Sequence, residues 1–146
     1  MRDSVGKWTK DLFPSDRFGI VYKKSIGLSM LHLSPSCNYY LYSGHADMRK
    51  GFDGLCGIIN AQMALNALGG SVFIFMNRRR TQVKLLLWEG DGFCIYHKRL
   101  ERGTFELPAT TGQLTTVALD ARQLQFILQG ISLRKVVYRP RLQNTA

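Results

Sequence analysis

No stretch of this sequence approaches the roughly 18 consecutive apolar residues that a membrane-spanning helix requires, and no basic amphipathic helix suited to a bilayer surface stands out. A membrane partner is therefore not expected. The N-terminus carries Asp3, Lys7, Lys10 and Asp11 with no continuous apolar segment behind them, which argues against a secretory signal. Cysteine is scarce: Cys37, Cys56 and Cys94 are odd in number and far apart, without Cys-x-x-Cys spacing or a nearby His pair. That excludes a disulfide framework and a zinc site, and the expectation is three buried thiols in a reducing cytoplasm. There is no glycine-rich phosphate loop and no nucleophile elbow, and His45 and His97 lack a spaced set of partners. No cofactor, metal or catalytic residue is expected.

Acidic residues are also few. Across 146 residues, 10 Asp and Glu face 20 Lys and Arg, a formal net charge of +10. With 45% hydrophobic residues the chain has the apolar material for one ordinary core, so the charge excess belongs to its surface. Such an excess favours a polyanionic partner, nucleic acid above all, over an acidic small molecule.

The residues that are present organise around 73–102, where three β-prone runs are separated by turn signals at 77–81 and 89–92. This predicts a three-stranded antiparallel meander. Asp91-Gly92 suits a tight hairpin, so 83–88 and 93–98 should pair directly. Alternation then gives Lys84, Leu86 and Trp88 one face with Phe93, Ile95 and His97, and gives Val83, Leu85 and Leu87 the other with Cys94, Tyr96 and Lys98. Both faces are apolar in the middle, which predicts a central hairpin covered on two sides, with Cys94 buried.

The ends of the meander differ in charge. Arg78, Arg79, Arg80 and Lys84 fall at one end, to which the returning strand brings Lys98, Arg99 and Arg102, while Glu89 and Asp91 fall at the other. A charge run is most often a solvated rim. Cations gathered from separate segments are more informative, and they are taken as candidate nucleic-acid-binding residues.

Before the meander, Tyr39–Tyr42 is a compact strand signal, and 18–22 a weaker one. Phe52, Leu55, Ile59 and Met63 recur at helical spacing, predicting a long helix stopped by Gly69-Gly70. Glycines 51, 54 and 57 within it suggest a close approach to the backbone, most simply packing on the sheet. Arg49 and Lys50 precede this helix and oppose its dipole. A bound phosphate would relieve that conflict, and so would a cap and local ion pairs from Asp47 and Asp53. These two cations join the candidate set. Asp47, Asp53 and Asp91 read as a cap, a helix-surface residue and a turn residue, not as a metal cluster. After the meander, 103–107 and 114–117 are predicted strands. Asp120 with Gln123 forms a capping-box pattern before the apolar stripe Leu124, Ile127 and Leu128, and Gly130 ends that short helix. The architecture expected is a single α+β domain, a central antiparallel meander packed against one long and one short helix.

The segments HADMRKGFDGL at 45–55, FIFMNRRRTQVKLLLWEGDGFCIYHKRLERGTFELP at 73–108 and ARQLQFILQGI at 121–131 resemble the small accessory protein, often called TnpB, of bacterial insertion sequences of the IS sixty-six type. The resemblance runs from about Met30 to Tyr138. It departs at His45-Ala46, where a Thr is common, and at Leu133, where a Trp is common. Residues 1–29 are expected to be an N-terminal extension outside the match, with little order, and 30–142 the accessory domain. The resemblance implies a role in transposition beside a separate transposase and another accessory protein, with no catalytic residues of its own. DNA binding and docking of the transposase are both compatible with it.

Overall fold

The computed structural model describes residues 33–109, 112–135 and 139–141, so the predicted strand at 18–22 and the extension 1–29 lie outside the described residues. Five strands form one mixed sheet: β1 (Tyr39–Tyr42), β2 (Val72–Met76), β3 (Gln82–Trp88), β4 (Phe93–Arg99) and β5 (Thr116–Leu119), in the order β4-β3-β2-β1-β5. The α+β class and the β2–β3–β4 meander are those expected from the sequence. In the β3–β4 hairpin Trp88 pairs with Phe93, Leu86 with Ile95 and Lys84 with His97, which gives the predicted two faces. The hairpin is not central, however. β3 is interior, whereas β4 is an edge strand, and Cys94, His97 and Arg99 are exposed on it. Burial of Cys94 fails for that reason. Cys37 and Cys56 are half-buried.

β1 adds to β2 in parallel, with Tyr39 opposite Val72 and Leu41 opposite Ile74, and β5 closes the far edge antiparallel to β1. The connection between β1 and β2 carries helix α1 (Phe52–Ile58), which continues as a π turn at Ile59–Met63. The expected helix thus ends five residues before Gly69-Gly70, at Ala64, in the left-handed conformation with φ 56°. Its N–H and that of Leu65 both donate to the Ile59 carbonyl, and the wider π turn thereby closes without a glycine. Helix α2 (Ala121–Gln129) has the capping box in full: Gln123 N–H donates to Asp120 at 2.7 Å, and the Gln123 side chain accepts from Asp120 N–H at 3.0 Å. Gly130, at φ 79°, ends it.

The sheet is covered on both faces. On one, Leu124, Ile127 and Leu128 of α2 pack with Leu41, Ile74 and Leu85; on the other, Leu55, Ile58, Ile59 and Met63 pack with Phe73, Phe75 and Leu86. Full burial of such side chains is worth about 1.5–3 kcal/mol each, so these two layers dominate the stability. Residues 103–107 form no strand. Phe105 instead plugs the α2 side of the core at 2% exposure, with its N–H donating to the Arg80 carbonyl at 2.7 Å. The last predicted strand is displaced by two residues to Thr116–Leu119.

Candidate nucleic-acid interface

The turn at 77–81 is built by Asn77. Its Oδ1 accepts from Thr81 N–H at 2.9 Å and Gln82 N–H at 3.0 Å, and its Nδ2 donates to Thr81 Oγ1 at 3.0 Å. This side chain substitutes for a backbone ladder, which is the usual role of Asn in turns. Arg80 occupies the left-handed region at φ 56°, and its Nη1 donates to the Phe105 carbonyl at 3.3 Å. Arg78 and Arg79 are exposed and, among the described residues, make no hydrogen bond or ion pair.

The segment after β4 folds back over this turn, because Leu100 N–H donates to the Thr81 carbonyl and Phe105 N–H to that of Arg80. Arg99 and Arg102 are therefore at the arginine-turn end of the sheet. Arg99 donates to Glu101 at 2.9 Å, and both side chains are largely exposed. An ion pair of that kind is weak, so it leaves Arg99 available to a competing anion. Glu89 lies in the β3–β4 turn at the opposite end, with its N–H donating to the Gly92 carbonyl, and Asp91 is in the same turn.

The parallel pairing of β1 and β2 brings a third segment to the basic end. Both strands finish there, and Ala46 N–H donates to the Met76 carbonyl at 2.9 Å as the chain leaves β1. Residues 47–50 follow as a turn, with Lys50 N–H donating to the Asp47 carbonyl. Asp47 accepts from Arg49 Nε, Nη2 and N–H, and those bonds hold its carboxyl at about 2, well below the ordinary range. The Arg49 side chain nevertheless stays 91% exposed. The stem of Lys50 lies across Gly54, 3.0 Å from where a Cβ would stand, while Gly51 and Gly57 face open space. The close approach expected at these glycines is thus Lys50 itself, at Gly54 alone.

Two candidate cations have other work. Lys84 is 8% exposed, and its ammonium donates to the carbonyls of Met48 at 2.9 Å and Lys50 at 2.7 Å. It ties the 47–50 turn to the sheet and is not presented to an outside phosphate. Burial pushes its pKa down, opposed by the charge of Asp47. Lys98 is half-buried on the other face, and its ammonium donates at 2.8 Å to the Leu128 carbonyl, in the last turn of α2. A cation at that position complements the helix dipole. The exposed set is therefore Arg49, Lys50, Arg78, Arg79, Arg99 and Arg102, with Arg80 half-buried beside them. Sequence reasoning found these cations but missed the jobs of Lys84 and Lys98, which depend on elements distant in the chain.

His97, paired with Lys84 across the hairpin, shares a 2.9 Å hydrogen bond with Gln82 Oε1. Although the residue is exposed as a whole, partial desolvation of its ring lowers its pKa first, and then the charges of Lys84 and Arg99. Among the described residues no three His, Cys, Asp or Glu side chains group as metal ligands, and no helix is long and apolar enough to cross a membrane.

The family described as "IS66 Orf2 like protein" matches residues 37–138, which spans the whole sheet, both helices and the basic end. The chain belongs to this family. As an Orf2-like protein it has an accessory role in transposition, associated with the machinery of an insertion sequence. Two proteins of Sinorhizobium fredii (strain NBRC 101917 / NGR234) are similar to it. "Uncharacterized protein y4hO" is 34% identical over 105 residues, covering 72% of this chain and 90% of that one. "Uncharacterized protein y4jC" is 22% identical over 94 residues, covering 64% and 79%. No solved structure matches the Orf2-like chain.

Proposed function

We propose that this accessory protein acts in transposition by binding DNA, without catalysis of its own, through the basic end of its sheet. The observation that carries the reading is the convergence of cations from 49–50, 78–80 and 99–102 on one end, with Glu89 and Asp91 at the other. Such a rim engages phosphates, which gives affinity and orientation without base discrimination, and it releases counterions on binding. The ligand would be transposon-end or target DNA, and the chain would work in the reducing cytoplasm beside the transposase and a further accessory protein.

The test is a triple variant, Arg78→Ala with Arg79→Ala and Arg102→Ala. None of these side chains makes a hydrogen bond or ion pair among the described residues, so stability should stay within about 1 kcal/mol. Affinity for duplex DNA should fall, and the slope of log affinity against log salt should shrink by about 0.9 for each phosphate that the variant no longer engages. A control at Glu89→Gln and Asp91→Asn should bind unchanged or slightly tighter. A triple variant with parental affinity and slope would reduce the rim to solvation.

A second reading draws on the far end, where Trp88 and Phe93 meet edge to face at 4.9 Å and, with Ile95, stay half-buried. Half-exposed aromatics of this kind anchor protein partners. Co-purification with the transposase that survives nuclease and is lost on Trp88→Ala would favour a docking module.

A further inference from the structure

We infer that Phe52 is a stacking platform for an unpaired nucleobase, so that the basic end takes single-stranded or frayed DNA in preference to intact duplex. The inference rests on the DNA-binding reading above. Phe52 belongs to the apolar stripe predicted for the helix, yet it is 48% exposed while Leu55 and Ile59 are 0% and Met63 5%. The stripe turns away from the core at its first residue. That residue stands one glycine beyond the turn bearing Arg49 and Lys50, at the end of the sheet where the other exposed cations gather.

Its setting is rigid and open at once. The Lys84 ammonium grips the carbonyls of Met48 and Lys50, the Lys50 stem is seated on Gly54, and Leu55 N–H donates to the Gly51 carbonyl at 3.0 Å. Gly51, immediately before the ring, has an extended backbone that any residue could adopt, and a Cβ there would meet nothing. Its bareness leaves the surface beside Phe52 clear. An exposed aromatic ring beside a cluster of exposed cations is the arrangement on which single-stranded nucleic acid stacks its bases, because every base offers a π face. In intact duplex those faces are already stacked, and the ring has no partner.

The test uses the full chain, an oligothymidine of about 20 nucleotides and a blunt duplex of the same length, titrated at several salt concentrations. Phe52→Ala should weaken oligothymidine binding roughly tenfold and duplex binding less than about twofold, with both salt slopes unchanged. Phe52→Tyr should keep parental affinity for both. Leu68→Ala, which removes an exposed side chain from the loop before β2 at the far end, should change neither. Equal losses on both ligands, or none on oligothymidine while the parent still binds duplex with a steep salt dependence, would overturn the stacking role and leave the phosphate rim standing. A parent that binds neither ligand would remove the DNA reading itself. Loss of transposase co-purification on Phe52→Ala, with oligonucleotide affinity intact, would make the ring a protein-docking residue instead.

Discussion

Replacing Lys84 by Met tests how the basic end is held together. The substitution preserves the length and packing of the stem and removes the ammonium that bridges β3 to the carbonyls of Met48 and Lys50. Hydrogen bonds from a charged donor contribute about 1.5–3 kcal/mol each, so two of them put the gross loss at about 3–6 kcal/mol. Against this, Met need not be stripped of water, and burying an ion typically costs several kcal/mol. Lys50 is exposed, so its carbonyl can recover a water, whereas Met48 is half-buried and recovers less. A net destabilisation of about 2 kcal/mol is the expected outcome, read from the urea midpoint at constant m value. Amide exchange should quicken across 46–52, and DNA affinity should drop as the turn loosens. The salt slope should not move, because the Lys84 ammonium is held by two carbonyls within the fold. Parental stability with parental exchange would refute the bridging role, and a slope reduced by about 0.9 would mean that Lys84 reaches DNA after all.

Asn77→Ala removes three hydrogen bonds from the arginine turn and should cost about 2–3 kcal/mol, checked by thermal or urea unfolding. His97 has a folded pKa below its unfolded value near 6.5, so the native state binds fewer protons there. Its contribution is complete above that value and is lost as pH falls toward and through the lowered one, and His97→Gln should flatten the stability profile below about pH 6.5.

Much of the fold can be read from local chemistry. The turn signal at 89–92 announces the hairpin, although its left-handed corner is Gly90, at φ 95°, and not Asp91-Gly92; alternation along β3 and β4 assigns both faces, and Asp120 with Gln123 announces α2. The failures are non-local. Nothing in Tyr39–Tyr42 or Val72–Met76 says that the two run parallel, yet that pairing carries Arg49 and Lys50 to the arginine turn. Lys84 and Lys98 look like rim cations because a strand end is where exposed lysines usually sit; their acceptors belong to a loop and a helix far away in sequence. Phe52 fits the helical stripe by spacing, but the helix begins beyond the edge of the core it covers. Ala64 carries no sign that it will adopt a left-handed conformation, since the wider π turn imposes it.

The parallel β1–β2 pair also sets an order of events. Strands β2, β3 and β4 pair with neighbours in the chain, whereas β1 joins only after the connection at 43–71 has closed, which carries a loop entropy that the meander avoids. The basic end therefore matures in two stages, Arg78 to Arg102 with the meander and Arg49 and Lys50 with the docking of β1. In stopped-flow measurements Leu86→Ala should chiefly slow folding, and Leu41→Ala should chiefly speed unfolding. Equal partition of the two effects would contradict this order. A chain arrested between the stages would carry four of the six exposed cations, Arg78, Arg79, Arg99 and Arg102, and lack Phe52 in position, so the complete basic end would be the last feature that folding delivers.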